Sequence, residues 1–89
     1  MNERKMEMDI IEVRNTLLSI FEELGVIIEE EEDFDIQEYI VDSLVYMSFI
    51  VNMEQRFGID IPDEFLLLSK MNSFNAYCES LLALINEDK

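Results

Sequence analysis

The chain contains no histidine. That absence removes the side chain that titrates near neutrality, the Ser-His-Asp arrangement and imidazole metal sites. Basic residues are scarce as well. Six Lys and Arg stand against 21 Asp and Glu in 89 residues, a formal net charge of −15. Such a surface repels phosphate backbones and anionic membranes, because nucleic-acid affinity comes largely from Lys and Arg releasing condensed counterions. No nucleic acid is therefore expected as a partner. Partners should carry basic patches, and association should be steered and salt-sensitive. There is one cysteine, Cys78, so no intrachain disulfide can form and a reducing compartment fits. No run of about 18 apolar residues occurs, so no membrane insertion is expected. Met1 to Asp9 alternate charge with methionine and lack the continuous apolar stretch of a signal peptide. The expected location is the cytoplasm.

Against these gaps stands an apolar fraction of 49%, too high for a disordered acidic tail. A chain of this length builds one modest core and not two, so residues 1–89 are read as a single domain, with 1–5 frayed. Glycine occurs only twice and proline once, and all three fall at breaks in the apolar pattern. From Met6 to Leu24, the residues Ile10, Val13, Leu17, Ile20, Phe21 and Leu24 recur at helical spacing, and Gly25 closes the helix. Val26 to Val41 reads as a long loop with room for one helical turn, pinned by Phe34, Ile36 and Tyr39. Its acidic run, Glu29 to Asp33, lacks the Asp-x-Asp-x-Asp-Gly spacing of a calcium loop and reads as solvated charge, with no metal site expected.

A second helix starts at Asp42-Ser43, either of which can cap it, and runs to Phe57, where Gly58 stops it. Ile59 to Pro62 is an extended connector. Asp63 to Leu68 reads as a short third helix. A fourth begins near Asn72-Ser73 and carries the stripe Phe74, Tyr77, Cys78, Leu81 and Ile85. In that stripe Cys78 reads as a small core hydrophobe. The expected fold is all-α, with no sheet. No pair of carboxylates converges in the sequence, so free-standing catalysis is not expected.

The helix after Asp42 has two apolar faces. At about 100° per residue, Tyr46, Phe49, Ile50, Met53 and Phe57 share one, assigned to the core. Leu44, Met47 and Val51 form a stripe on roughly the opposite side, beside Ser48 and Gln55. Between Leu44 and Phe57 the only charges are Glu54 and Arg56, which cancel.

The stretch Asp42-Ser43-Leu44, nine mostly apolar helical residues, Glu54, then Phe57-Gly58-Ile59-Asp60-Ile61-Pro62-Asp63-Glu64 resembles the signature of acyl carrier proteins. It spans about a quarter of the chain in register. The resemblance implies a four-helix bundle in which Ser43 accepts 4′-phosphopantetheine from coenzyme A. It also implies that Asp42 takes part in recognition by a magnesium-dependent phosphopantetheinyl transferase. The cargo would be an acyl, aminoacyl or peptidyl thioester, received from a loading enzyme and passed to synthase enzymes by a monomeric carrier. Leu44, Met47, Val51 and Glu54 are the residues expected to face those partners. Two features depart from the family. Ile40 stands where a glycine usually precedes the Asp-Ser pair, so the approach to the helix must avoid positive φ. The docking helix is also neutral where carriers of fatty acid synthesis present acids, which favours a dedicated pathway. The alternatives are an aminoacyl, peptidyl or D-alanyl carrier of a specialised pathway, and a carrier-like acidic interaction protein without the arm.

Overall fold

The computed structural model describes residues 9–29, 32–40, 42–67 and 71–87. Expectations that touch Met1–Met8, Glu30, Glu31, Val41 or Leu68 lie outside them. Three α-helices, α1 (Ile10–Glu23), α2 (Ser43–Phe57) and α3 (Phe74–Glu87), carry the fold. Short 3-10 turns at Ile36–Glu38 and Asp63–Leu66 join them, and no strand occurs among the described residues.

Helix α1 begins at Ile10, with Asp9 as its cap. Asp9 Oδ1 accepts the Glu12 N–H at 2.9 Å, and Glu12 Oε1 accepts the Asp9 N–H at 3.2 Å, a reciprocal box that satisfies two otherwise unpaired donors. At the other end Gly25 (φ +82) lets the Val26 N–H reach Phe21 O at 2.9 Å and the Gly25 N–H reach Glu22 O at 3.0 Å. This is the six-to-one, five-to-two closure that favours glycine. Val13, Leu17, Ile20 and Phe21 face inward, and α1 packs on both α2 and α3. The Phe21 ring stacks on Phe49 of α2, with centroids 4.7 Å apart. Such pairs contribute about 0.5–1.5 kcal/mol beyond their area.

The ion pair between Arg56 and Glu23 ties the C-terminal end of α2 to that of α1. The connection to the start of α2 must therefore travel back along a 15-residue helix, roughly 22 Å at 1.5 Å per residue. That distance explains its length. Phe34 and Ile36 are buried on the way, as the sequence leads one to expect, and the helical turn is 3-10, capped by Asp35 on the Gln37 N–H. Phe34 stacks on Phe74 with centroids 4.5 Å apart, and its carbonyl accepts the Phe74 N–H at 2.7 Å. Arg14 of α1 completes this corner. Its guanidinium lies 5.1 Å above the Phe74 ring and donates to Asn75 Oδ1.

The short third helix expected over Asp63–Leu68 is instead a 3-10 turn at Asp63–Leu66. Two tyrosines hold this turn against the helices. Tyr46 O–H donates to Leu66 O, and Tyr77 O–H donates to Phe65 O at 3.2 Å. Burial pushes both tyrosine hydroxyls up in pKa, so they remain donors. Ahead of the turn, Ile59 and Ile61 are buried from the extended connector. Cys78 is buried in α3, and burial is the main reason its thiol is pushed up to about 12. Arg14 opposes that shift, whereas Asp33 and Glu79 add to it. No helix among the described residues is long and apolar enough to cross a membrane.

Candidate functional site

Ser43 is the first residue of α2 and is exposed. Asp42 before it has extended backbone (φ −155, ψ 172), and its Oδ1 accepts the Val45 N–H at 2.9 Å. One capping bond serves one donor, so the Ser43 and Leu44 N–H groups keep no intrahelical partner. With the helix dipole they make the mouth of α2 favourable for an anion attached at Ser43. Nothing among the described residues hydrogen-bonds the Ser43 hydroxyl. Among the described residues no side chain accepts its proton, and the Asp42 carboxylate beside it is turned to the Val45 N–H. A hydroxyl in this setting is accessible but not self-activating.

From Ser43 the rest of α2 divides as its sequence spacing suggests. Phe49 and Met53 are fully buried, with Tyr46, Ile50 and Phe57 packed against the same core. Leu44, Met47 and Val51 are 73%, 61% and 47% exposed. The second stripe is thus uncovered apolar surface on the side of the helix away from the core, beginning at the residue after Ser43.

The two charges of this helix are both engaged elsewhere. Glu54, expected among the partner-facing residues, is half-buried, and its Oε2 accepts the Ile61 N–H at 3.0 Å. That bond fixes the extended connector against α2. Arg56 is paired with Glu23. The exposed stripe is therefore neutral because its only two charged neighbours are turned to structural contacts. Ile40, at the approach to the helix, is half-buried against the core. It anchors the segment by packing where a glycine would offer only freedom.

Asp33 is the acid whose role the sequence conceals. Its carboxylate accepts Ser73 Oγ–H at 2.6 Å, the Asn75 N–H at 2.8 Å and the Phe34 N–H at 3.0 Å. The Asn75 N–H, then the Ser73 hydroxyl, hold its pKa below the usual carboxylate range, against a small opposing effect of burial. Ser73 Oγ in turn accepts the Ala76 N–H at 3.2 Å. The start of α3 is thus capped twice, locally by Ser73 where the sequence places the helix start, and from a distant loop by Asp33, which no local spacing announces. Asp9 is different, since Asp-x-x-Glu before an apolar run is itself a start signal. No group of three or more Cys, Asp or Glu among the described residues is placed to hold a metal ion.

The family described as phosphopantetheine attachment site matches the chain over residues 13–79. No curated protein and no solved structure matches it. The matched span runs from the second turn of α1 into α3 and includes Asp42, Ser43 and the whole of α2.

Proposed function

The chain belongs to the phosphopantetheine attachment-site family, and we propose that it is a discrete carrier whose arm is attached at Ser43. One observation carries the choice of residue: an exposed serine at the first position of α2, beside a capping aspartate, with unpaired N–H groups around it. The residues fit the group. A phosphodiester on Ser43 Oγ would meet the positive end of the α2 dipole, and no side chain of the described residues blocks the hydroxyl. Bound 4′-phosphopantetheine supplies a thiol that holds cargo as a thioester. The protein's own contribution is to present that cargo to successive enzymes at high effective concentration. Because no described residue accepts the Ser43 proton, its activation falls to the transferase, with Asp42 as part of what that enzyme reads.

Leu44, Met47 and Val51 are the proposed contact surface for partners. Central apolar anchors dominate interface energies, and charged residues are depleted at interface cores. A partner for this stripe needs an apolar socket with basic residues at its rim, since the rest of the surface is strongly acidic. A neutral stripe supports a dedicated pathway over general fatty acid synthesis. The protein is proposed to work in the cytoplasm as a monomer, without catalysis of its own.

Intact-mass measurement decides the reading. The protein, incubated with coenzyme A, magnesium and a broad-specificity phosphopantetheinyl transferase, should gain one phosphopantetheine. Ser43→Ala should gain none while keeping its fold by circular dichroism. Modification that survives in Ser43→Ala, or mapping to Ser48, would remove Ser43 from the site. Failure of the unaltered chain to be modified would favour the acidic interaction protein.

A further inference from the structure

Ile27 is the most exposed large apolar side chain among the described residues, at 76%. It lines a groove of about 510 Å³ between the outer face of α1 and residues 25–28. Leu18, Val26 and Ile28 supply the rest of the apolar lining, each half-buried against the core, and Glu22 adds a carboxylate. Ile11, also exposed, lies two turns before Leu18 on the same side of α1 and extends the apolar surface. Single exposed apolar residues are ordinary, whereas a contiguous patch with a polar rim marks a contact surface. The rim here has one sign of charge. No lining residue is basic, and the chain leaves the groove directly into the acidic run Glu29 to Asp33. Arg56, at this end of α2, is already paired with Glu23.

The groove lies at the opposite end of the molecule from Ser43, and so apart from the stripe that begins at Leu44. Glu22 lines it next to Glu23, whose ion pair with Arg56 marks the far end of α2. The 15 residues of α2 put its two ends roughly 22 Å apart. We propose that this groove binds a helical segment of a partner protein, with aliphatic anchors and a basic flank, while the arm at Ser43 stays free. Such a segment covers the apolar side chains with its own and sets Lys or Arg against Glu22 and Glu29, a helix-in-groove contact with complementary charge. Other occupants fit the charge less well. A second copy would bring another net charge of −15 to a face that is itself acidic, and an anionic membrane would meet the same repulsion. The docking surface stands independently of the carrier reading, whereas its use, holding a carrier without covering its arm, rests on that reading.

The probes are two amphipathic helical peptides with identical leucine anchors, one flanked by lysines and the other by glutamates. Titrated into the isotope-labelled protein before modification, the lysine peptide should shift the Leu18, Gly25, Ile27 and Ile28 amides saturably. The glutamate peptide should not. Ile27→Ser, at an exposed position, should keep its melting temperature and weaken that binding about fivefold, as loss of one apolar anchor does. Glu22→Gln with Glu29→Gln, both exposed, should weaken it at low salt and reduce its salt dependence. With saturating lysine peptide, a broad-specificity transferase should still modify Ser43 at an unchanged rate. Shifts confined to Leu44, Met47 and Val51, or equal shifts from both peptides, would overturn the groove. Groove shifts that grow with protein concentration alone would assign it to a second copy, and co-sedimentation with anionic phospholipid vesicles to a membrane; either overturns the proposed partner. Slower modification with the peptide bound would overturn the free arm. No modification even without peptide would overturn the carrier reading and the use that rests on it, while the groove shifts still decide the docking surface.

Discussion

Asp33 and Ser73, 40 residues apart in the chain, share a hydrogen bond of 2.6 Å that closes the long loop onto the start of α3. Together with the Asn75 N–H on the same carboxylate, it makes a loop residue a cap of a helix that lies beyond α2 in the chain. Losing such a cap costs about 0.5–2 kcal/mol. Asp33→Ala should therefore lower the melting temperature by several degrees, since roughly 1 kcal/mol corresponds to about 4–8 °C in a domain of this size.

The same carboxylate gives a pH dependence with a definite sign. Its folded pKa lies below the ordinary value because N–H and O–H donors favour the charged form. The stabilisation is fully present above the unfolded pKa, near 4 for an aspartate, and is lost as pH falls through the folded pKa. Asp33→Asn should flatten the acid limb of the stability curve below about pH 4. An acid limb identical to that of the unaltered protein would show that Asp33 is not its source.

Met47→Ala and Val51→Ala should change stability by no more than about 0.5 kcal/mol, as exposed substitutions do. Phe49→Ala and Met53→Ala, at residues buried completely, should cost about 2–5 kcal/mol. Loading by the partner enzyme should weaken for the first pair while transferase modification persists. Equal destabilisation in both pairs would place the stripe in the core, and unchanged loading would move recognition to the acidic loop.

Gly58 ends α2 at φ +66, and nothing lies within 4 Å of where a Cβ would stand. The effect of Gly58→Ala is therefore one of backbone conformation alone, about 1–2 kcal/mol for a left-handed position. Gly58→Asn, which tolerates that region better, should lose less. Thermal melts of the two variants separate these outcomes.

At −15 in 89 residues, self-repulsion opposes the native state at low ionic strength. Raising salt from low to moderate concentration should lift the melting temperature by several degrees, and a flat profile would refute it. The two basic residues among the described ones, Arg14 and Arg56, are already engaged by Asn75 and Glu23.

Much of the fold is legible because it is written locally. The stripe from Val13 to Phe21 and the stripe from Phe74 to Ile85 repeat at the helical period, and Gly25 and Gly58 stand where the chain takes positive φ. The face assignment of α2 follows from the same period. What escapes the sequence is non-local. Asp33 looks like one more acid in a charge run until Ser73 and Asn75 are brought to it. Glu54 looks like surface charge until the chain turns at Gly58 and lays the Ile61 N–H beside it. The Asp63–Leu66 segment has helical composition, and nothing local in it shows that Tyr46 and Tyr77, from two other elements, bond its carbonyls. In the sequence Ser43 stands out only through the motif around it, since a capped serine opening a helix is common.

Cys78 has a consequence for handling the molecule. A buried thiol with its pKa near 12 supplies almost no thiolate at neutral pH, and thiolate is the reacting species. Buried and little ionised, Cys78 is poorly placed to take cargo from the arm by internal exchange. The arm's sulfur would be the one reactive sulfhydryl on the folded chain. A maleimide dye should then mark the unloaded holo form once, and leave both the apo form and the fully acylated form dark, so that fluorescence counts vacant arms directly.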